Sequence, residues 1–144
     1  MKGERFYQQS VKAYDELLKA HNVTYSDETD YLDFSQMIKW YNVYISLIRK
    51  SAYLGYPLAQ YELGLHYDTR YFFGLNPHYD SAKCEYWYNK ACDANIGDAC
   101  NNLALMYYEN GREEEAKELF LKAIRLKSKL ARSNYKLYYG ESNK

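Results

Sequence analysis

The sequence predicts an all-α solenoid of stacked helix pairs, and three observations carry that expectation. Apolar residues recur at helical spacing along nearly the whole chain, only 2 prolines and 7 glycines interrupt its 144 residues, and the sequence repeats itself at constant offsets. No strict alternation of apolar and polar residues persists between turn residues, so no strand competes with this reading.

Taken in order, residues 5–21 carry Phe6, Val11, Tyr14, Leu17 and Leu18 at near-helical spacing. The polar stretch 22–30 reads as a loop. Asp33 or Ser35 is then placed to cap a second helix that runs through Met37, Trp40, Tyr44, Leu47 and Ile48 to about Tyr53. Gly55-Tyr56-Pro57 is a turn, with the proline at the start of a third helix reaching about Asp68. Residues 71–79 hold Gly74 and Asn76-Pro77 and read as an unusually aromatic loop. Four shorter helices follow, at about 80–94, 97–110, 113–127 and 129–139.

Setting residues 50–67 on 90–107, an offset of 40, places Ala59 on Ala99, Leu63 on Leu103, Gly64 on Ala104 and Tyr67 on Tyr107. A further offset of 32 carries Lys90 to Lys122, Ala99 to Ala131, Leu105 to Leu137 and Tyr107 to Tyr139. Periods of this size mark stacked helix pairs. Helix axes come close only where a small residue on one meets a large residue on the other. Gly64 and Ala104 are the small positions of first helices, and Cys84, Ala91, Ala116 and Ala123 those of second helices. Leu63, Tyr67, Tyr88, Leu103, Tyr107 and Phe120 fill the space between them. Lys136 takes the small position of the last helix, where a following helix would collide with it, and so ends the stack.

Composition narrows the function. Lys and Arg total 19, as do Asp and Glu, so the chain lacks the basic footprint of a nucleic-acid or anionic-membrane binder. Residues 1–10 are too polar for a signal peptide, and the apolar stretch 40–48 is too short to span a bilayer. The expected location is cytoplasmic, with a periplasmic or secreted location as the alternative if a leader has been removed. Three cysteines, an odd count, suit a reducing compartment better than a disulfide framework. His21, His66 and His78 fall on a helix end, a helix and a loop, although the last two flank the aromatic segment and could approach each other. They lack the further ligands of a metal site, so neither metal nor cofactor is expected. Cys84, at a small packing position, reads as an inert core thiol.

The residues now resemble a known superfamily. Asn102-Leu-Ala-Leu-Met-Tyr107 with Gly111, Ala116, Phe120, Lys122-Ala123-Ile124 and Leu126 look like one tetratricopeptide (TPR) repeat, departing from its pattern at Cys100 and Ser128. The preceding unit, with Ala59-Gln60-Tyr61-Glu62-Leu63-Gly64, Tyr67 and Tyr86-Trp87-Tyr88-Asn89-Lys90-Ala91-Cys92, is more similar to the longer Sel1-like variant, with a longer inter-helix loop. The resemblance covers about residues 50–139 and implies a right-handed α-α solenoid with a C-terminal capping helix. One domain is expected over 1–144: a degenerate helix pair over 1–54, a Sel1-like repeat over 55–95, a TPR-like repeat over 96–128, and a capping helix and tail over 129–144. The spacing of Cys92 and Cys100 resembles the cysteine-rich secreted bacterial Sel1-like branch, in which such a pair is disulfide-bonded. The alternative is two small buried residues at a tight helix junction. At the corresponding junctions Ala52/Gln60 and Ile124/Arg132 stand in those places.

In such solenoids the first helices line a concave face that holds a ligand. Carried onto this chain, that face takes Leu58, Tyr61, Leu65 and Asp68, then Asp98, Asn101, Leu105, Tyr108 and Glu109, then Leu130, Ser133 and Leu137. The Lys/Asn clamp that grips a terminal carboxylate in chaperone-binding TPRs is missing, since Tyr61, Asn101 and Ser133 stand at its lysine positions. An amphipathic helix or an extended apolar segment therefore fits better than a carboxylate-ended peptide. The two N-terminal helices could equally fill the face as internal core. Tyr71, Phe72, Phe73 and Tyr79 of the inserted segment form a second candidate surface. The reading is a non-catalytic protein-interaction module: an adaptor or scaffold, or alternatively an immunity protein or secretion chaperone binding a toxin or effector. The enzymatic alternative is a penicillin-binding or β-lactam-hydrolysing protein. The resemblance to the cysteine-rich branch, some of whose members bind penicillin, implies it; Ser133-Asn-Tyr-Lys136 satisfies Ser-x-x-Lys, a pattern that arises easily by chance, and has no Ser-Asp-Asn or Lys-Thr-Gly companion.

Overall fold

The computed structural model describes residues 1–26, 33–71 and 74–140. Among them seven α-helices occur: α1 (Glu4–Ser26), α2 (Ser35–Tyr53), α3 (Pro57–His66), α4 (Ser81–Asp93), α5 (Gly97–Glu109), α6 (Glu113–Arg125) and α7 (Lys129–Tyr139). The all-α class is as the hydrophobic spacing implies. The chain divides into two compact units, Met1–Leu63 and Gly64–Lys144, with the division falling inside α3.

In the first unit α1 and α2 pack antiparallel on a core of Ala13, Leu17, Met37, Tyr41, Tyr44, Ile45 and Ile48. The start of α1 is tied to the end of α2, where the Ser51 hydroxyl donates to the Gly3 carbonyl at 2.7 Å. Gly3 has φ +90, and a Cβ there would lie 2.6 Å from the Ser51 carbonyl oxygen, so only glycine fits. The first helix runs five residues beyond the expected end at His21. Residues 22–26 have no apolar period, but the Thr24 hydroxyl donates to the Ala20 carbonyl at 2.9 Å and to the Asp33 carbonyl at 3.2 Å, pinning the last turn. Asp33 acts one position before the helix cap: its carboxylate accepts from the Ser35 amide at 2.9 Å, which holds the acid below its usual range. The Glu62 carboxylate accepts from the Tyr44 hydroxyl at 2.7 Å.

In the second unit α4, α5, α6 and α7 pack in succession. The small positions behave as the repeat requires. Cys84, Ala91, Ala104, Ala116 and Ala123 are fully buried, with Leu103, Tyr88, Phe120 and Tyr107 around them. Tyr67, expected as a filler of the same kind, and Tyr139, the repeat equivalent of Tyr107, are only half-buried. Tyr139 instead reaches the Glu113 carbonyl at 2.8 Å, and the Lys83 ammonium lies 5.3 Å from the centre of the Tyr67 ring. Asp80 caps α4 by accepting from the Lys83 amide at 3.0 Å.

The repeat is also written in the backbone. Helices α2, α4, α5 and α6 all end with paired bonds from the two residues after the cap to carbonyls in the last turn: Tyr56 to Ser51, Ile96 to Ala91, Arg112 to Tyr107 and Ser128 to Ala123. The residue before each of these donors has positive φ: Gly55 (91), Asn95 (67), Gly111 (78) and Lys127 (66). Gly55, Asn95 and Lys127 stand at the sequence offsets of 40 and 32, so the periodicity marks a repeated turn as well as a repeated packing face.

The segment read as a loop after α3 departs from that expectation. Arg70–Tyr71 (β1) and Gly74–Leu75 (β2) form a minimal antiparallel ladder, with Arg70 opposite Leu75 and Tyr71 opposite Gly74. Its base is held by Asn76, whose side-chain amide donates to the His66 carbonyl at 2.7 Å and to the Asp68 carbonyl at 2.6 Å. These are carbonyls left unpaired at the end of α3, so one side chain satisfies both.

Candidate cleft between α3 and α5

The Gly64–Lys144 unit contains an open cleft of about 470 Å³ where the end of α3 faces α5. Leu65, Leu105 and Met106 supply its apolar lining, Thr69 and Asn102 its neutral polar lining, and Asp68 and Glu109 its charge. Four of the twelve residues expected on the concave face therefore gather here: Leu65, Asp68, Leu105 and Glu109.

Asp68 is held in place from several sides. Its carboxylate accepts from the Tyr88 hydroxyl at 2.5 Å and from the Thr69 amide at 2.6 Å and hydroxyl at 3.3 Å. The Asn102 amide donates to the Tyr88 oxygen at 3.3 Å, which ties α5 to the same network. Burial, with the Asp68 carboxylate nearby, pushes the Tyr88 phenol up, so it stays protonated as the donor. Beneath it the Cys84 sulfur lies 3.7 Å from the Met106 sulfur, and burial pushes the Cys84 thiol up as well. A thiol held neutral in this way is a packing group rather than a nucleophile.

The remaining α5 residues expected on that face have other work. Asn101 is fully buried; its amide donates to the Asn102 side chain at 3.1 Å and its carbonyl oxygen accepts from Asn134 at 2.9 Å. Asp98 accepts from the Ser128 hydroxyl at 2.7 Å, while Ser128 caps α7 through the Ala131 amide at 3.3 Å. Tyr108 packs against Tyr138 and Tyr139, with ring centres 4.4 and 6.0 Å away. Asn101, Asp98 and Tyr108 thus make contacts at the α5–α7 junction and are not among the residues lining this cleft. The cleft face of α5 is instead the stripe Asn102, Leu105, Met106 and Glu109, at i, i+3, i+4 and i+7. Leu105 and Glu109 of that stripe were expected on this face; Asn102 and Met106, which complete it, were not, although their spacing lay in the sequence.

Leu130, Ser133 and Leu137 are exposed on α7 and are not among the residues lining this cleft, whereas Leu65 and Leu105 meet in it. Lys136 is exposed as well. Leu58 is exposed and Tyr61 half-buried, both in the Met1–Leu63 unit. Tyr79 is exposed, Tyr71 contributes its backbone to β1, and Phe72 and Phe73 lie outside the described residues. The His66 and His78 rings stack at 4.8 Å. Among the described residues no group of three or more His, Cys, Asp or Glu side chains gathers to hold a metal ion.

The sulfur atoms of Cys92 and Cys100 lie at bonding distance, 2.15 Å, and join the end of α4 to the start of α5. A second recess of about 340 Å³, lined partly by Leu103, Tyr107 and Leu119, is rimmed by Glu115, Glu118, Lys122 and Arg125. Beside it Arg112 stacks on Tyr107 at 3.6 Å and pairs with Glu115 at 2.6 Å, which lowers the Glu115 carboxyl.

Comparison with known families matches residues 57–96 to the Sel1 repeat and residues 97–130 to the tetratricopeptide repeat. Neither the curated proteins nor the solved structures give a match. Among the described residues no helix is long and apolar enough to cross a membrane.

Proposed function

Since the chain belongs to the Sel1-like and tetratricopeptide repeat family, we propose that it is a non-catalytic protein-binding module whose partner seats between the end of α3 and α5. Repeats of this family generally mediate protein–protein interaction. The observation that carries the choice of surface is the open cleft in which Leu65, Leu105 and Met106 stand beside fixed polar groups. Such a recess suits a short segment of another protein, with apolar side chains for affinity and the polar groups for orientation.

The test is capture of a native partner by crosslinking, repeated with Leu65→Gln/Leu105→Gln. Both substitutions keep side-chain size while removing the apolar lining. The expected result is loss of capture with the helical circular dichroism retained. Leu137→Gln on α7 should leave capture intact. Unchanged capture by the double variant would place the partner elsewhere.

A further inference from the structure

Among the described residues, those lining the α3–α5 cleft include two carboxylates and no Lys or Arg. The two acids are Asp68 and Glu109, and among the described residues neither forms an ion pair. Both acids also stand where a helix least favours them. Asp68 lies two residues past the end of α3, and Glu109 is the last residue of α5, whose final turn has no basic residue. Helix C-termini present partial negative charge, so a cation is the favourable neighbour and an anion the unfavourable one. Among the described residues, two carboxylates beside one apolar patch, with Glu109 at the end of a helix whose last turn holds no basic residue, give the cleft a negative local field.

Building on the protein-binding reading above, we propose that the cleft takes a basic amphipathic helix of a partner protein. Its apolar stripe would lie on Leu65, Leu105 and Met106, with Lys or Arg facing Asp68 and Glu109. The α5 stripe from Asn102 to Glu109 spans two turns, on the order of 10 Å, which matches two turns of an incoming helix. Steering comes from this local field, since the chain as a whole has formal net charge zero.

The probe is a synthetic amphipathic helix of about 18 residues with Leu on one face and Lys on the other, and a twin with Glu in place of Lys. Binding to the full chain is measured by titration, and the site is mapped by the methyl resonances of Leu65, Leu105 and Met106. The Lys peptide should shift those methyls, and its affinity should fall about fivefold in Glu109→Gln and further in Asp68→Asn/Glu109→Gln. Glu113→Gln/Glu114→Gln, an equal charge change elsewhere on the unit, should leave it unaltered. The Asp68 change also touches the Tyr88 bond, so the single Glu109→Gln variant, at an exposed side chain, decides the matter if the double variant loses its fold. Equal binding of the Glu peptide, or an affinity untouched by Glu109→Gln, overturns the cationic preference and leaves the protein-binding cleft standing. Failure of both peptides to shift the cleft methyls overturns both.

Discussion

The Tyr88 ring occupies the space where a Cβ on Gly64 would have to stand, 2.6 Å from Cε1 of that ring. A residue without a side chain on α3 thus meets a large ring on α4, the small-against-large pattern of the repeat. In an exposed helix an alanine in place of glycine adds up to about 1 kcal/mol of stability. Here the clash decides the sign, because Tyr88 is fully buried and its hydroxyl is tied to Asp68, so the ring has no free direction in which to turn. Gly64→Ala should cost about 1–3 kcal/mol, the range for overpacking, read as a lowered Tm. Adding Tyr88→Leu should recover part of the loss; simple addition of the two penalties would sink the explanation.

The Cys92–Cys100 bridge closes a loop with a sequence separation of 8. A crosslink over so short a span restricts the unfolded chain by about 2–3 kcal/mol. At the preceding junction the same two places hold Ala52 and Gln60, and there the Gln60 amide donates to the Ala52 carbonyl at 3.4 Å. The turn therefore does not depend on sulfur. Treatment with a reductant should lower Tm and keep the far-ultraviolet helical signal, and Cys92→Ala/Cys100→Ala should become insensitive to reductant. Equal Tm with and without reductant would show that the bridge adds nothing.

Those paired positions also show what could be read in advance. Gly64 with Ala104, Leu63 with Leu103 and Ala59 with Ala99 share a residue type at a fixed offset, because packing selects size directly and size is visible in a sequence. The bonds of Asp98 and Asn101 were not legible, because a polar residue on a first helix serves a groove or a cap equally well. Their partners Ser128 and Asn134 stand about thirty residues away. The last turn of α1 was invisible for a related reason: a threonine hydroxyl holds it through carbonyls of Ala20 and Asp33, with no apolar period to betray it. Nothing in the local sequence marks Gly3, whose need for glycine comes from Ser51, about fifty residues away.

The four helix ends with positive φ predict a ranking. Lys127, with φ 66, pays the left-handed penalty of a residue with a long side chain, whereas Asn95, with φ 67, tolerates that region better. Lys127→Gly should stabilise by about 0.5–1 kcal/mol and Asn95→Gly by less. Gly111→Ala should destabilise by about 1 kcal/mol although a Cβ there meets nothing within 4 Å, since the cost is purely conformational. Denaturant midpoints at unchanged slope are the measurement. A gain from Asn95→Gly larger than that from Lys127→Gly would contradict the backbone explanation.

Glu62 predicts the sign of one pH effect. Burial holds its carboxyl above the usual range, against the opposing pull of the Tyr44 hydroxyl bond, so the folded state prefers this acid protonated. A carboxyl raised in the folded state contributes stability that is present below its unfolded pKa and is lost as pH rises through the folded value. Asp33 and Glu115, both lowered, act in the opposite direction, so total stability against pH would mix the contributions. The difference between the native chain and Glu62→Gln isolates the one group. Glutamine can still accept from Tyr44 and carries no charge to desolvate. The variant should be the more stable protein at pH 8, and its advantage should shrink as pH falls towards the ordinary carboxylate range. A gap in Tm that stays constant from pH 8 to pH 4 would mean that ionised Glu62 suffers no burial cost in the fold.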